Sequence, residues 1–194
     1  MTRILLIAAT PTKWDLEDRI GGNHSLPLTP EGLVAAKALV DELPLTIDAV
    51  YRSKANEACD EIAKLIGKRC DLRPKDNADL EEFNAGLWQG MRREEIRFRY
   101  PKVNEIWQDN PLAVEPPEGE TIPRATERLH TALRWILRKN RGGTVAIVVR
   151  PLAQQILAGL LGREPLERIC QHLQEIVPME SIELNDEAVK AILQ

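Results

Sequence analysis

The chain has 194 residues, 43% of them hydrophobic and 29% charged, the proportions of one folded domain rather than of a disordered segment. Its net charge of −4 argues against a nucleic-acid surface as its main business, because phosphate backbones require clustered Lys and Arg. No stretch approaches the ~20 apolar residues of a membrane span, and the apolar run Ile4 to Ala9 is too short for a signal peptide. The expected setting is therefore cytoplasmic, with neither nucleic acid nor membrane as a partner.

In chain order, Arg3 to Ala8 is an apolar run of strand length. Thr29-Pro30-Glu31 opens a helix, with Thr29 as N-cap, Pro30 in the first turn, and Leu33, Ala36, Val40 and Leu43 on the apolar face. Ile47 to Tyr51 is a second strand. Ala55, Ala58, Cys59, Ile62 and Ile66 form a second helical stripe, which Gly67 is expected to stop, and Cys70 to Arg73 is a candidate third strand.

Residues 74–120 are irregular, with Pro74, Pro101, Pro111, Pro116 and Pro117, and read as a capping insertion within a single domain spanning 1–194. Thr121 then caps a long helix with Ile122, Ala125, Leu129, Ala132, Leu133 and Ile136 on one face. Its basic end, Arg138, Lys139 and Arg141, complements the helix dipole. Thr144 to Val149 is apolar almost throughout, as in a strand buried on both faces. A helix is expected from Pro151 to Leu161, and a last strand at Ser181 to Leu184.

Strands alternating with helices predict a three-layer α/β/α sandwich with a mostly parallel central sheet. Such sheets bind ligands beyond the carboxyl ends of their strands, which are here Ala8-Ala9-Thr10 and Arg150-Pro151. Cys59, Cys70 and Cys170 are odd in number, widely spaced and without a metal-ligand pattern; they read as reduced thiols, two of them in the core. Neither a metal nor a cofactor is expected.

The order of small motifs resembles the histidine phosphatases of the phosphoglycerate-mutase-like superfamily. That family carries Arg-His-Gly-Glu-Thr after its first strand, where this chain has Ala8-Ala9-Thr10-Pro11-Thr12, then Trp14 and Arg19-Ile20-Gly21-Gly22. Pro27-Leu28-Thr29-Pro30-Glu31-Gly32 is similar to the family's Pro-Leu-Thr-x-x-Gly. Glu82, Gly86, Trp88 and Gly90 are similar to its Glu-x-x-x-Gly-x-Trp-x-Gly. Tyr100-Pro101, Trp107 and Pro116 to Thr121 match further signatures, and Val145 to Pro151 lies where the family's strand ends in Ser-His-Gly.

The resemblance implies a site in which one His attacks phosphorus, two Arg and a second His hold the phosphate oxygens, and a Glu or Asp protonates the leaving oxygen. Carried over residue by residue, the nucleophile falls on Ala9, the first Arg on Ala8, the second Arg on Glu57, the second His on Arg150, and the acid on Glu82; Thr12 and Arg19 complete the degenerate pocket. His24, His130 and His172 lie at none of these positions. A carboxylate about 4 Å from a unit negative charge costs about 4 kcal/mol at an effective dielectric of 20, so Glu57 would oppose a phosphoryl dianion. The resemblance therefore implies a catalytically inactive pseudophosphatase retained for binding a protein or small-molecule partner. Two alternatives stay open: a phosphatase or hydrolase that uses Glu82 and water instead of phosphohistidine, and a small-molecule binder with a remodelled pocket. Opposite charges converging at the site should pair, which places Arg150 within salt-bridge reach of Glu57, Glu82 or both.

Overall fold

A computed structural model describes residues 1–162 and 176–194. Five strands form one sheet: β1 (Thr2–Ala8), β2 (Ala49–Ser53), β3 (Lys75–Asn77), β4 (Thr144–Val149) and β5 (Met179–Leu184), in the order β3-β2-β4-β1-β5. All pairings are parallel except that of β5, which runs antiparallel to β1 along the edge. The described helices are α1 (Lys13–Leu16), α2 (Pro30–Glu42), α3 (Glu57–Cys70), α4 (Arg93–Arg99), α5 (Pro101–Asp109), α6 (Ile122–Lys139), α7 (Pro151–Leu160) and α8 (Asp186–Leu193). The fold is the α/β arrangement expected from the alternation of elements. Among the described residues no helix is long and apolar enough to cross a membrane.

Successive side chains on a strand point to opposite faces, and the two faces here are both dry. Ile4 and Leu6 of β1, with Val145, Ile147 and Val149 of β4, pack against α6 and α7 through Leu129, Leu133, Ile136, Ile156 and Leu157. Leu5 and Ile7, with Ala146 and Val148, pack on α2 and α3 through Ala36, Val40, Ala58, Ile62 and Ile66. This two-sided burial explains why β4 reads as an unbroken apolar run.

Helix starts follow the local chemistry. The Thr29 hydroxyl accepts from the Gly32 amide at the start of α2, and the Thr121 hydroxyl from the Arg124 amide at the start of α6. The expected end of α3 is different. Gly67 does not stop the helix, which continues to Cys70 and closes on Asp71 in the left-handed region. Gly67 serves close packing instead: a Cβ there would lie 2.6 Å from the Leu72 carbonyl oxygen and 3.0 Å from Pro74. The third strand is consequently not Cys70 to Arg73 but β3, a few residues later.

Register sets the site. Ala8 is the partner of Val149, and the Ala9 amide donates to the Val149 carbonyl at 2.8 Å. Ala9 and Arg150 therefore leave the sheet side by side at the carboxyl ends of its two central strands.

Candidate functional site

Ala8 and Ala9 are buried and contribute no polar side-chain atom at the end of β1. Beside them Arg150 precedes α7, its side chain only 5% exposed. Its guanidinium donates to the Ala9 carbonyl through Nη1 and to Asp15 Oδ1 through Nη2, at 2.7 Å for the latter. Gly21 approaches from the other side; a Cβ there would meet Arg150 Nη2 at 3.4 Å.

The partner of Arg150 is thus Asp15, and not Glu57 or Glu82 as the sequence led us to expect. Asp15 is positioned by α1. Its Oδ2 accepts from the Thr12 amide at 2.6 Å, the Thr12 hydroxyl at 2.8 Å and the Thr10 hydroxyl at 3.2 Å. Burial pulls the Asp15 carboxyl upward, but the charge and hydrogen bond of Arg150, together with the Thr12 amide and hydroxyl, outweigh it and hold the group below its ordinary value. The signal in the sequence was Thr12-x-x-Asp15, a capping-box spacing in which the acid reaches back to the amide of the capping residue. Thr12 is therefore part of the site as a support for Asp15.

Glu82 is also buried. It makes no ion pair among the described residues; its partners are amides. Oε1 accepts from Phe83 at 2.7 Å and Ala153 at 3.1 Å, and Oε2 from Leu152 at 3.0 Å. The last two are free amides in the first turn of α7, so the carboxyl group occupies the anion-favouring end of that helix. Burial nevertheless pushes Glu82 above its ordinary value, and the Phe83 amide, the charge of Arg150 and the α7 amides recover only part of the loss. The expectation that pairing would lower this carboxyl is corrected on that point.

Glu57 is exposed at the start of α3, where the Ser25 hydroxyl accepts from its amide, and it forms no ion pair among the described residues. Arg19 turns to Glu17 at 2.6 Å and to the Gly90 carbonyl at 2.6 Å, joining two loops. The site therefore gathers Ala8, Ala9, Thr12, Glu82 and Arg150 with Asp15, whereas the Glu57 and Arg19 side chains are engaged elsewhere or face solvent.

His24 and His130 lie outside this cluster. His24 is exposed and stacks on Trp14 with ring centres 4.6 Å apart. His130 Nε2 lies 3.1 Å from the Ile192 carbonyl, between α6 and α8. His172 and Cys170 fall outside the described residues. Cys59 is fully buried in α3 and burial pushes its thiol up to about 12, so it offers no thiolate at neutral pH. Trp88 packs in a small separate core with Ile96 and Val114. Among the described residues no group of three or more His, Cys, Asp or Glu side chains is placed to hold a metal ion.

In open α/β sheets with a parallel centre, the crevice beyond the carboxyl ends of the strands is where ligands bind, and the polar cluster lies at that edge. Residues 4–189 match the histidine phosphatase superfamily (branch 1), and the chain belongs to that family. It is 26% identical over 167 residues to phosphoserine phosphatase 1 of Hydrogenobacter thermophilus, across 84% of this chain and 77% of that protein. It is 30% identical over 157 residues to a metal-independent phosphoserine phosphatase of Arabidopsis thaliana, across 76% of this chain and 63% of that protein. Bacillus stearothermophilus YhfR superposes with a TM-score of 0.84 at 25% identity, covering 96% of this chain and 93% of that one. The alpha-ribazole phosphatase of Shigella flexneri shares the fold, with a TM-score of 0.80 at 20% identity over 95% of this chain and 92% of that one.

Proposed function

We propose that this chain is a histidine-phosphatase-fold protein that forms no phosphohistidine and acts by binding. The observation that carries the reading is the Arg150–Asp15 pair beside a buried Ala9. A phosphoryl group arriving at the end of β1 would meet no nucleophile at Ala9, and the nearest guanidinium is already neutralised by a carboxylate. Glu82 further occupies the α7 amides that an oxyanion would otherwise use. Loss of a catalytic nucleophile alone costs up to about six orders of magnitude in rate. A cytoplasmic setting belongs to this reading.

A second reading is a phosphatase or hydrolase that activates water through Glu82. The relatives named as phosphatases favour it over inactivity, and so does a carboxyl group whose raised pKa suits proton transfer. The local geometry is what favours the first reading. Incubation with a generic phosphomonoester separates the two. The binding reading expects no phosphate release above background and no acid-labile phosphoenzyme. Turnover that survives repurification and disappears in Glu82→Gln would establish the second reading instead. A thermal-shift screen against phosphorylated and cationic metabolites then asks whether the site holds a small molecule, since a ligand bound only by the native state raises apparent stability.

A further inference from the structure

Glu82 reaches the α7 amides from a stretch of chain with little regular structure. Only the single turn Ala78–Leu80 precedes it, and loop follows as far as Gly86. Leu80 and Phe83 are buried in the core with Ile122, Ala125 and Leu129 of α6. Such apolar contacts are non-directional. They keep residues 80–83 against α6 without fixing where the carboxyl group between them points. Hydrogen bonds to the backbone fix that direction, because both their distance and their angle are constrained.

Arg128 of α6 and Glu120, just ahead of that helix, supply those bonds. Arg128 Nη1 donates to the Asp79 and Glu81 carbonyls, each at 2.8 Å. Its Nη2 pairs with Glu120 Oε1 at 2.7 Å, and the same oxygen accepts from the Asn84 amide at 2.9 Å. The Glu120 amide in turn donates to the Asn84 carbonyl at 2.9 Å. The pair therefore grips the backbone one residue before Glu82 and two residues after it. The two side chains are only 22% and 17% exposed. Among the described residues, every side-chain hydrogen bond they make, other than to each other, goes to the backbone of residues 79–84. A largely buried ion pair is by itself weak evidence for stability, because desolvation offsets attraction. Its directed bonds to one segment are what set this pair apart.

We infer that Arg128 and Glu120 are positioning residues for Glu82: together they orient its backbone so that the carboxyl group meets the first turn of α7. This role rests on the reading that Glu82 occupies those amides, and does not depend on whether the site binds or turns over its ligand. The guanidinium is needed as a fork. One nitrogen bridges two carbonyls while the other holds the carboxylate that grips Asn84, a geometry that a lysine ammonium does not reproduce. Without the fork the segment is free to turn, Glu82 leaves Leu152 and Ala153, and its carboxyl gains water. The burial that pushes its pKa up is then relieved. Loss of charge alone acts in the opposite direction, since removing a cation raises a nearby carboxyl. Two other groups act on or feel Glu82: Arg150, whose charge lowers it, and the Cys59 thiol, which is neutral at ordinary pH. Substitution of Arg128 alters neither.

NMR on the full chain follows the Glu82 proton through the side-chain carboxyl carbon, assigned against Glu82→Gln, and through the Leu152 and Ala153 amides. In the unsubstituted protein all three should report one titration, above the ordinary glutamate value of about 4. Arg128→Lys, which keeps the charge, and Arg128→Met, which removes it, should both lower the carboxyl titration toward that value and abolish its echo at the two amides. Glu120→Ala, which releases the Asn84 amide, should abolish the echo as well. Should Arg128→Met fold poorly by circular dichroism, Arg128→Lys carries the test, since only the fork is lost. An unchanged titration in Arg128→Lys, an upward shift in Arg128→Met, or an amide echo that survives in Glu120→Ala would each overturn the positioning role alone. Absence of the Glu82 titration at Leu152 and Ala153 in the unsubstituted protein would overturn the occupancy of the α7 amides and the positioning role with it.

Discussion

The loop after β1 and the segment before Gly86 each deliver one carboxyl group to the same pair of strand ends, and the two groups end in opposite states. Asp15 faces a guanidinium and two donors from Thr12, and its pKa is lowered. Glu82 faces three backbone amides and no ion-pair partner, and its pKa is raised. Asp15 is partly buried and Glu82 more deeply, so the penalty of desolvation is also the larger at Glu82. A full charge at 2.7 Å overcomes desolvation, and partial charges on amides at about 3 Å do not. The difference assigns Asp15 to holding the fold and leaves Glu82 as the carboxyl that keeps its proton more readily than an ordinary one.

Breaking the first half of the comparison has the largest expected effect. Arg150→Ala leaves Asp15 buried without its counter-ion and should destabilise the chain by about 3 kcal/mol, the low end of the range for broken buried pairs because Asp15 keeps some solvent access. Urea denaturation at neutral pH measures it, and a loss under 1 kcal/mol would mean that water already solvates the pair.

Acidity sharpens the comparison because the two carboxyls have opposite signs. Asp15, lowered on folding, contributes stability that is present above the unfolded value of about 4 and is lost as pH falls through its folded value. The cost of Asp15→Asn, about 2 kcal/mol at neutral pH, should therefore shrink on acidification. Glu82, raised on folding, contributes stability that is present below the unfolded value of about 4 and is lost as pH rises through its folded value. The cost of Glu82→Gln, about 1 kcal/mol in acid, should shrink as pH rises. Denaturation midpoints of both variants between pH 3.5 and about 8 test the pair of slopes; parallel slopes would contradict the electrostatic contrast.

The fold was legible in the sequence because its evidence is repeated: apolar runs of strand length, helical stripes and Thr caps recur along the chain and agree with one another. Its errors were local. Gly67 reads as a stop in one dimension, and only the approach of Leu72 and Pro74 reveals it as a packing site. The site was half legible. Arg150, Glu82 and Ala9 lie at the strand ends, where the family resemblance put them, but the pairing partner was chosen by charge and motif position alone. Asp15 escaped notice because its role depends on a turn of α1 that folds it back under Arg150, and a four-residue helix leaves little periodic signal. Glu57 was drawn into the pocket by position in the motif, yet its side chain starts a helix on the surface, where water solvates it at no cost.

That last point yields the smallest predicted effect and the cleanest control. Glu57→Ala should change stability by no more than about 0.5 kcal/mol, since the residue is exposed and its contribution is limited to a favourable position at the N-terminal end of α3. The stronger form is a double-mutant cycle with Arg150. Groups that share no partner combine additively to within about 0.5 kcal/mol, whereas groups in one ion pair couple by up to about 3. The Asp15–Arg150 cycle should fall in the second class and the Glu57–Arg150 cycle in the first. Using Gln at position 57 keeps the side-chain size and the helix start, so any coupling measured there reports charge. A Glu57–Arg150 coupling above 1 kcal/mol would bring Glu57 back into the site. It would also mean that the Arg150 guanidinium is shared between two carboxylates in solution, and the contrast between Asp15 and the other acids of the site would then be one of degree.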